Sequence, residues 1–264
     1  MYKRHVQYTK YVRTIPLTLG TPVPIEDCGT SAPGGFVNRI YLGNFTEGRV
    51  DILVNGQVIQ SFPKEYIEIR KKLYTPRQRL LEDTQLTIIP CSPYLPLKNL
   101  EILVEGQASE LIVEYRLIGI SVPREPILIE QVQHETFQVS SGVSVATRFL
   151  HEVKELFMVV EGTQLQKVRF NTNEYTKFEH DAMYLHLVQP RDYHSGTPPS
   201  NVFTYSFCMD PESESYSGSI HMGRIQNQVF TFWGSPASER FTVRLYAVSY
   251  NILQADGTLE FING

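Results

Sequence analysis

Cysteine is sparse in this 264-residue chain: Cys28, Cys91 and Cys208 stand far apart and form no C-x-x-C pair. Such spacing excludes a disulfide framework and the common zinc ribbons. It fits buried free thiols in a reducing compartment. An excess of basic charge is also lacking. With 24 Lys and Arg against 28 Asp and Glu the formal net charge is -4, so there is no electrostatic ground for nucleic-acid binding. The two basic clusters, "MYKRH" at the start and "IRKKLYTPRQR" at Ile69 to Arg79, read as solvated faces. No apolar run reaches the roughly 18 residues that span a bilayer, and the N-terminus has no apolar signal-peptide stretch. A soluble chain without a standard secretion signal is expected. The single glycosylation-type triplet, Asn44-Phe45-Thr46, then reads as chance.

Alanine is scarce, whereas 15 Tyr and 14 Phe stand beside abundant Val, Ile and Thr, a composition that favours strands. Short β-branched and aromatic runs recur along the whole chain, punctuated by Gly, Pro, Asn and Asp. In "LIVEYRLIGI" Leu111, Val113 and Tyr115 alternate with Ile112, Glu114 and Arg116, the period of a strand. Only "PKEYIEIRKKLY" reads as a helix, over Lys64 to Tyr74, with Pro63 before it and Pro76 to close it. Near mid-chain, "SVPREPILIE" carries Pro123 and Pro126, which cannot donate to a ladder and so mark a connection. The boundary divides the chain into 1–122, N-terminal arm included, and 123–264. The halves echo each other: "DILVNGQVIQ" (Asp51 to Gln60) against "LFMVVEGTQLQ" (Leu156 to Gln166), and "LIVEYRLIGI" against "FTVRLYAVSYNIL". The expected fold is all-β, two tandem sandwiches of about eight strands each with minor helix.

Sites of chemistry are hard to find. Histidines occupy 5, 134, 151, 180, 186, 194 and 221, but no H-x-H or H-x-D/E pair puts two ligands on one strand face. "HEVKE" at His151 lacks the second His of the zinc-protease motif. His180 and His186 could share a strand face, yet no carboxylate joins them. Cys208 with His221 as base is one reading of "YSFCMDPESESYSGSIHMGRI"; a half-buried strand and a polar surface loop is the stronger one. There is no G-x-S-x-G elbow, phosphate loop or dinucleotide fingerprint. No catalytic, cofactor-binding or metal-binding residue is assigned. Trp233, the sole tryptophan, reads as core.

Several segments, in order, resemble the double jelly-roll major capsid protein family of nucleocytoplasmic large DNA viruses. "VDILVNGQVIQSFPKEYIEI" is similar to that family's E-I-G-G-Q-x-I-D strand turn with its short following helix. "LTIIPCSPYLPLKNLEILV" resembles P-L-x-F…L-P-L-x-A-L, and "ILIEQVQ" the opening of the second jelly roll. "FLHEVKELFMVVEG" resembles F-N-H-P-V-K-E-L-x-W-V-V. The most specific are "NVFTYSFCMDPESESYSGSIHMGRI", like N-x-Y-S-F-A-L-N-P-E…P-S-G-S-x-N-F-S-R-I, and "RLYAVSYNILQADGTLEF", like R-V-Y-A-V-N-Y-N-V-L…G-G-L-x-F. Together they cover most of Val50 to Phe261. Tyr216, His221 and Gly223 depart from the usual Pro, Asn and Ser, and the chain is shorter than a typical member because the tower-building loops are nearly absent.

The resemblance implies a double jelly roll in which Tyr205 to Met209 is a strand, Ser217 to Ile225 opens the next, and Cys208 is core. It implies a structural, non-enzymatic capsid protein without cofactor. Three chains would form a pseudo-hexameric trimeric capsomer that tiles an icosahedral shell. The partners it implies are the other chains of the homotrimer, neighbouring capsomers, minor capsid proteins and a nearby internal viral membrane, with no specific nucleic acid. It places the protein in the virion, assembled in the host cell interior, in the cytoplasm. The rival readings are a two-domain cupin-like enzyme, a carbohydrate-binding β-sandwich protein and an accessory shell protein of the same fold. Bound metal would mark the first, sugar stacking on exposed aromatics the second, and virion copy number the third.

Overall fold

The computed structural model describes residues 8–25, 34–74, 85–92, 94–118, 126–173, 175–235, 240–254 and 257–260. Its strands are β1 (Tyr8–Ile15), β2 (Val23–Pro24), β3 (Gly34–Gly43), β4 (Glu47–Val54), β5 (Gln57–Pro63), β6 (Leu86–Ile89), β7 (Leu95–Pro96), β8 (Leu100–Gln107) and β9 (Glu110–Ile118). There follow β10 (Ile127–Ser140), β11 (Ser144–Thr147), β12 (Glu152–Glu161), β13 (Gln164–Thr172) and β14 (Tyr175–Asp181). The last are β15 (Val202–Ser206), β16 (Ile220–His221), β17 (Gln228–Ser235), β18 (Arg240–Leu253) and β19 (Leu259–Glu260). Helix α1 is Lys64–Leu73, close to the expected span; a π-helical turn, Tyr184–Val188, runs into the short α2, Gln189–Tyr193. The sequence reading did not anticipate this second helical stretch, where Pro190 occupies the first turn.

Two sheets come from the first half, in the orders β1-β9-β3-β6 and β2-β8-β4-β5, and two from the second, β10-β18-β12-β15 and β11-β17-β13-β14. Setting aside β7, β16 and β19, which each pair onto the side of the main strand order, each half has eight strands among the described residues. Ranked along the chain, both halves pair first-eighth-third-sixth in one sheet and second-seventh-fourth-fifth in the other. That is the jelly-roll order, written twice, and the fold is an all-β double jelly roll with minor helix.

This pairing confirms one sequence echo and overturns the other. β9 and β18, the two long closing strands, are equivalent. "DILVNGQVIQ", however, is the β4–β5 hairpin inside one sheet, whereas "LFMVVEGTQLQ" runs from β12 in one sheet into β13 in the other. The true counterpart of β4–β5 is β13–β14. An apolar run, a polar residue and a glycine describe any strand–turn–strand, and only the pairing distinguishes a hairpin from a crossing between sheets. The β4–β5 turn itself is local chemistry: Asn55 and Gly56 both have positive φ (54° and 75°) between the paired Val54 and Gln57, as a two-residue hairpin with Asn-Gly requires.

The chain forms two compact units: Met1–Glu68, Gln78–Glu130 and Ile252–Glu260 in the first, Ile69–Arg77, Gln131–Asn251 and Phe261–Gly264 in the second. The expected joint at Ser121 to Ile127 lies mostly outside the described residues. In the first unit Val37, Ile40, Val50, Ile52, Ile102 and Val113 are completely buried. In the second, Leu156, Met158, Phe170, Phe230, Phe232 and Leu245 form the centre of the core. Burial of such side chains, each worth about 1.5–3 kcal/mol, is what the strand periodicity encodes. Glu114 breaks that pattern, being 6% exposed; Lys10 pairs with it at 2.7 Å and Asn38 donates to it.

Candidate functional site

Cys208 is buried and Ser206 Oγ lies 3.4 Å from its sulfur. Burial pushes its thiol pKa up, the opposite of what a nucleophile needs. The strand expected over Tyr205 to Met209 ends at Ser206, where the hydroxyl accepts from the Cys208 amide and donates to the Cys208 carbonyl. Cys208 is a free thiol, and Cys91 is half-buried where the sequence reading had it buried. Cys28 lies outside the described residues.

The histidines are dispersed. His134 stacks on Tyr246, and His180 on β14 sits among Phe178, Tyr184 and Tyr205. His186 belongs to the π-turn, so it shares no strand face with His180. Burial lowers the pKa of His151, and the nearby His221 adds to the effect. Among the described residues no three His, Cys, Asp or Glu converge as a metal site would need. Trp233 is half-buried rather than core: Lys167 and Arg169 lie over its ring at 4.4 and 5.2 Å and both pair with Glu179, whose pKa they pull down to about 2.

What the second unit does assemble is a buried polar cluster around "HEVKE". Adjacent strand residues ordinarily face opposite ways. Here the β12–β18 register shifts between Val153 and Glu155, so Lys154 is the extra residue of a bulge. Val153 and then Leu156 point to the core, while Lys154 and Glu155 both reach Tyr74. Each is 0% exposed. Tyr74 donates its single hydroxyl proton to Glu155. The Pro211 carbonyl, 3.1 Å from that hydroxyl, is served by Lys154 Nζ at 2.6 Å. Lys154 also lies 5.9 Å from the Tyr74 ring centre and 5.5 Å from that of Tyr250. Arg70 stacks on Tyr74 at 4.2 Å. The segment Ile69 to Tyr74 is thus only partly the solvated face expected of it: Ile69, Leu73 and Tyr74 are buried.

His194 closes the cluster, with Nε2 at 3.5 Å from Glu155 and Nδ1 at 3.8 Å from Glu212. Burial, then the positive charges of Lys154 and Arg70, lowers its pKa to about 3; the two carboxylates favour the charged ring but do not offset the loss of water. Ser195 anchors Glu212 by amide and hydroxyl. Beside it the Gly196 amide donates to Leu73 O at 2.7 Å. A Cβ on Gly196 would stand 2.0 Å from Lys72 O, so Gly196→Ala is expected to cost about 1–3 kcal/mol, as overpacking does, measured by urea denaturation.

Chemically the cluster is a lock. It ties the end of α1, β12 and the loops at 194–196 and 210–212 by charge-assisted bonds. Lys154 and Glu155 at its centre are too buried to meet a substrate. The sequence offered one signal for it, two adjacent charges inside an otherwise apolar strand. The bulge and the partner Tyr74, 80 residues upstream of Lys154, were not legible.

The comparisons with known proteins agree with the topology. No protein-family model matches the chain. Its sequence is 28% identical over 160 residues to the major capsid protein of Pyramimonas orientalis virus, covering 48% of this chain and 40% of that protein. It is 33% identical over 121 residues to the major capsid protein of Phaeocystis pouchetii virus, covering 43% of this chain and 23% of that one. The matched part is therefore two fifths or less of these relatives. The structure superposes on PBCV-1 VP54 with a TM-score of 0.74 over 100% of this chain and 98% of that chain, at 14% identity. The chain shares the fold of that protein, a double jelly roll. In this double jelly roll no helix among the described residues is long and apolar enough to cross a membrane.

Proposed function

We propose that the chain is a structural capsid protein, without enzymatic activity or cofactor, that forms pseudo-hexameric homotrimeric capsomers tiling an icosahedral shell. The observation that carries this is the superposition of the whole chain on VP54, joined to sequence relatives that are major capsid proteins. Sheet membership supports two jelly rolls at 1–122 and 123–264, since no described strand of one half pairs with one of the other. Neighbouring capsomers and minor capsid proteins are the further partners in this reading, close to an internal viral membrane and with no specific nucleic acid bound. Its place is the virion, after assembly in the host cytoplasm.

Light scattering on a size-exclusion column tests the reading. A species near three times 30.3 kDa is expected, unchanged in His134→Ala and His180→Ala. A monomer at micromolar concentration, with a turnover lost on removing one histidine, would overturn it in favour of an enzyme.

A further inference from the structure

Beside the π-turn the second unit holds a cleft of about 520 Å³, within the range of small-ligand pockets. Its apolar floor and wall are Val160, Leu165, Phe203, Met183 and Leu187. Met183 and Leu187 are 69% and 53% exposed, although water is a poor environment for side chains of that size. Its polar rim is Thr163, Gln164, Ser200 and Asn201, and no lining residue carries a fixed charge. Ala182, Met183, His186 and Leu187 share the helical spacing that turns them to one side, and single π-turns are frequent at functional sites.

The polar groups are held in a usable state. His186 Nδ1 lies 2.8 Å from Val202 O. A carbonyl only accepts, so in the neutral ring Nδ1 carries the proton and Nε2 is left as an acceptor. The ring packs on Phe203, 5.6 Å between centres. Thr163 donates its hydroxyl to Ser235 O, which leaves its oxygen able to accept. The side-chain amides of Gln164 and Asn201 supply donors and acceptors together. An uncharged mixture of this kind, facing apolar surface, suits a ligand with one C–H face and many hydroxyls. A charged ligand would be desolvated there without a counter-charge.

We propose that this cleft binds a neutral saccharide of one or two rings. The inference does not depend on the capsid role and goes beyond it.

The test is carbon–proton NMR of the protein with labelled methionine methyls, titrated with lactose, maltose and methyl mannoside to tens of millimolar. Sodium glucuronate and 1-hexanol are the controls. The Met183 methyl is expected to shift with at least one neutral sugar and with neither control. Met209, which is exposed outside the cleft, stays still. Gln164→Ala/Asn201→Ala should weaken binding about tenfold, equivalent to ~1.4 kcal/mol. Should that variant lose its native methyl spectrum, Ser200→Ala at the exposed rim replaces it and should weaken binding about threefold through one lost hydrogen bond. No Met183 shift with any of the sugars, an equal shift with hexanol, or affinity unchanged in the folded variants overturns the proposal.

Discussion

Glu155→Leu is expected to destabilise the second jelly roll by about 3–5 kcal/mol, the cost of leaving a buried ion without its compensation. Lys154 is 0% exposed, and its ammonium would be left beside the Pro211 carbonyl and the faces of Tyr74 and Tyr250 with one buried negative charge fewer. Lys154→Met should cost a similar amount by removing a buried positive charge next to the Glu155 carboxylate, which keeps the Tyr74 hydroxyl. The double variant Glu155→Leu/Lys154→Met should lose much less than the sum, because replacing both members of a buried charged set with apolar side chains is often close to neutral. Urea denaturation of the four proteins gives the coupling directly. Simple additivity would show that the two charges do not act through one cluster.

His194 should make this unit sensitive to acid. Its folded-state pKa, about 3, lies below the ordinary 6.5, so the unfolded chain takes up a proton that the folded one refuses. The stability tied to the neutral ring is complete above pH 6.5. It is lost progressively as pH falls towards 3 and levels off below that. The slope is about 1.4 kcal/mol per pH unit for one proton, giving at most about 4–5 kcal/mol over the window. Carboxylates as a class titrate in the same range, so the informative quantity is the difference between the protein and His194→Gln. That difference should change across pH 6.5 to 3 and be flat above it. Parallel pH profiles would mean that His194 does not titrate on unfolding.

Neither result could have been foreseen from the sequence, and the reason is specific. "HEVKE" shows a histidine and three charges in five residues, which by strand alternation would fall on both faces. A one-residue bulge at Lys154, the approach of Tyr74 from α1 and the return of the chain at His194 convert it into a buried cluster. Each of those is a long-range event. The same holds for Trp233, read as core from its strand-like run; Lys167, its partner across the sheet on β13, and Arg169 cover its ring instead.

By itself the sequence determined the strand composition, α1, the Asn55-Gly56 turn and the two long closing strands. These follow from side-chain alternation and backbone preference, which act over a few residues. Its ordered segments also resembled one capsid-protein family, and the double jelly-roll topology bears that out. Tertiary structure alone decided that β4–β5 answers to β13–β14, that Lys154 and Glu155 share one face, and that an uncharged cleft opens beside the π-turn. Those depend on which strands meet and in what register, and a one-residue shift there reverses the face that every following side chain presents.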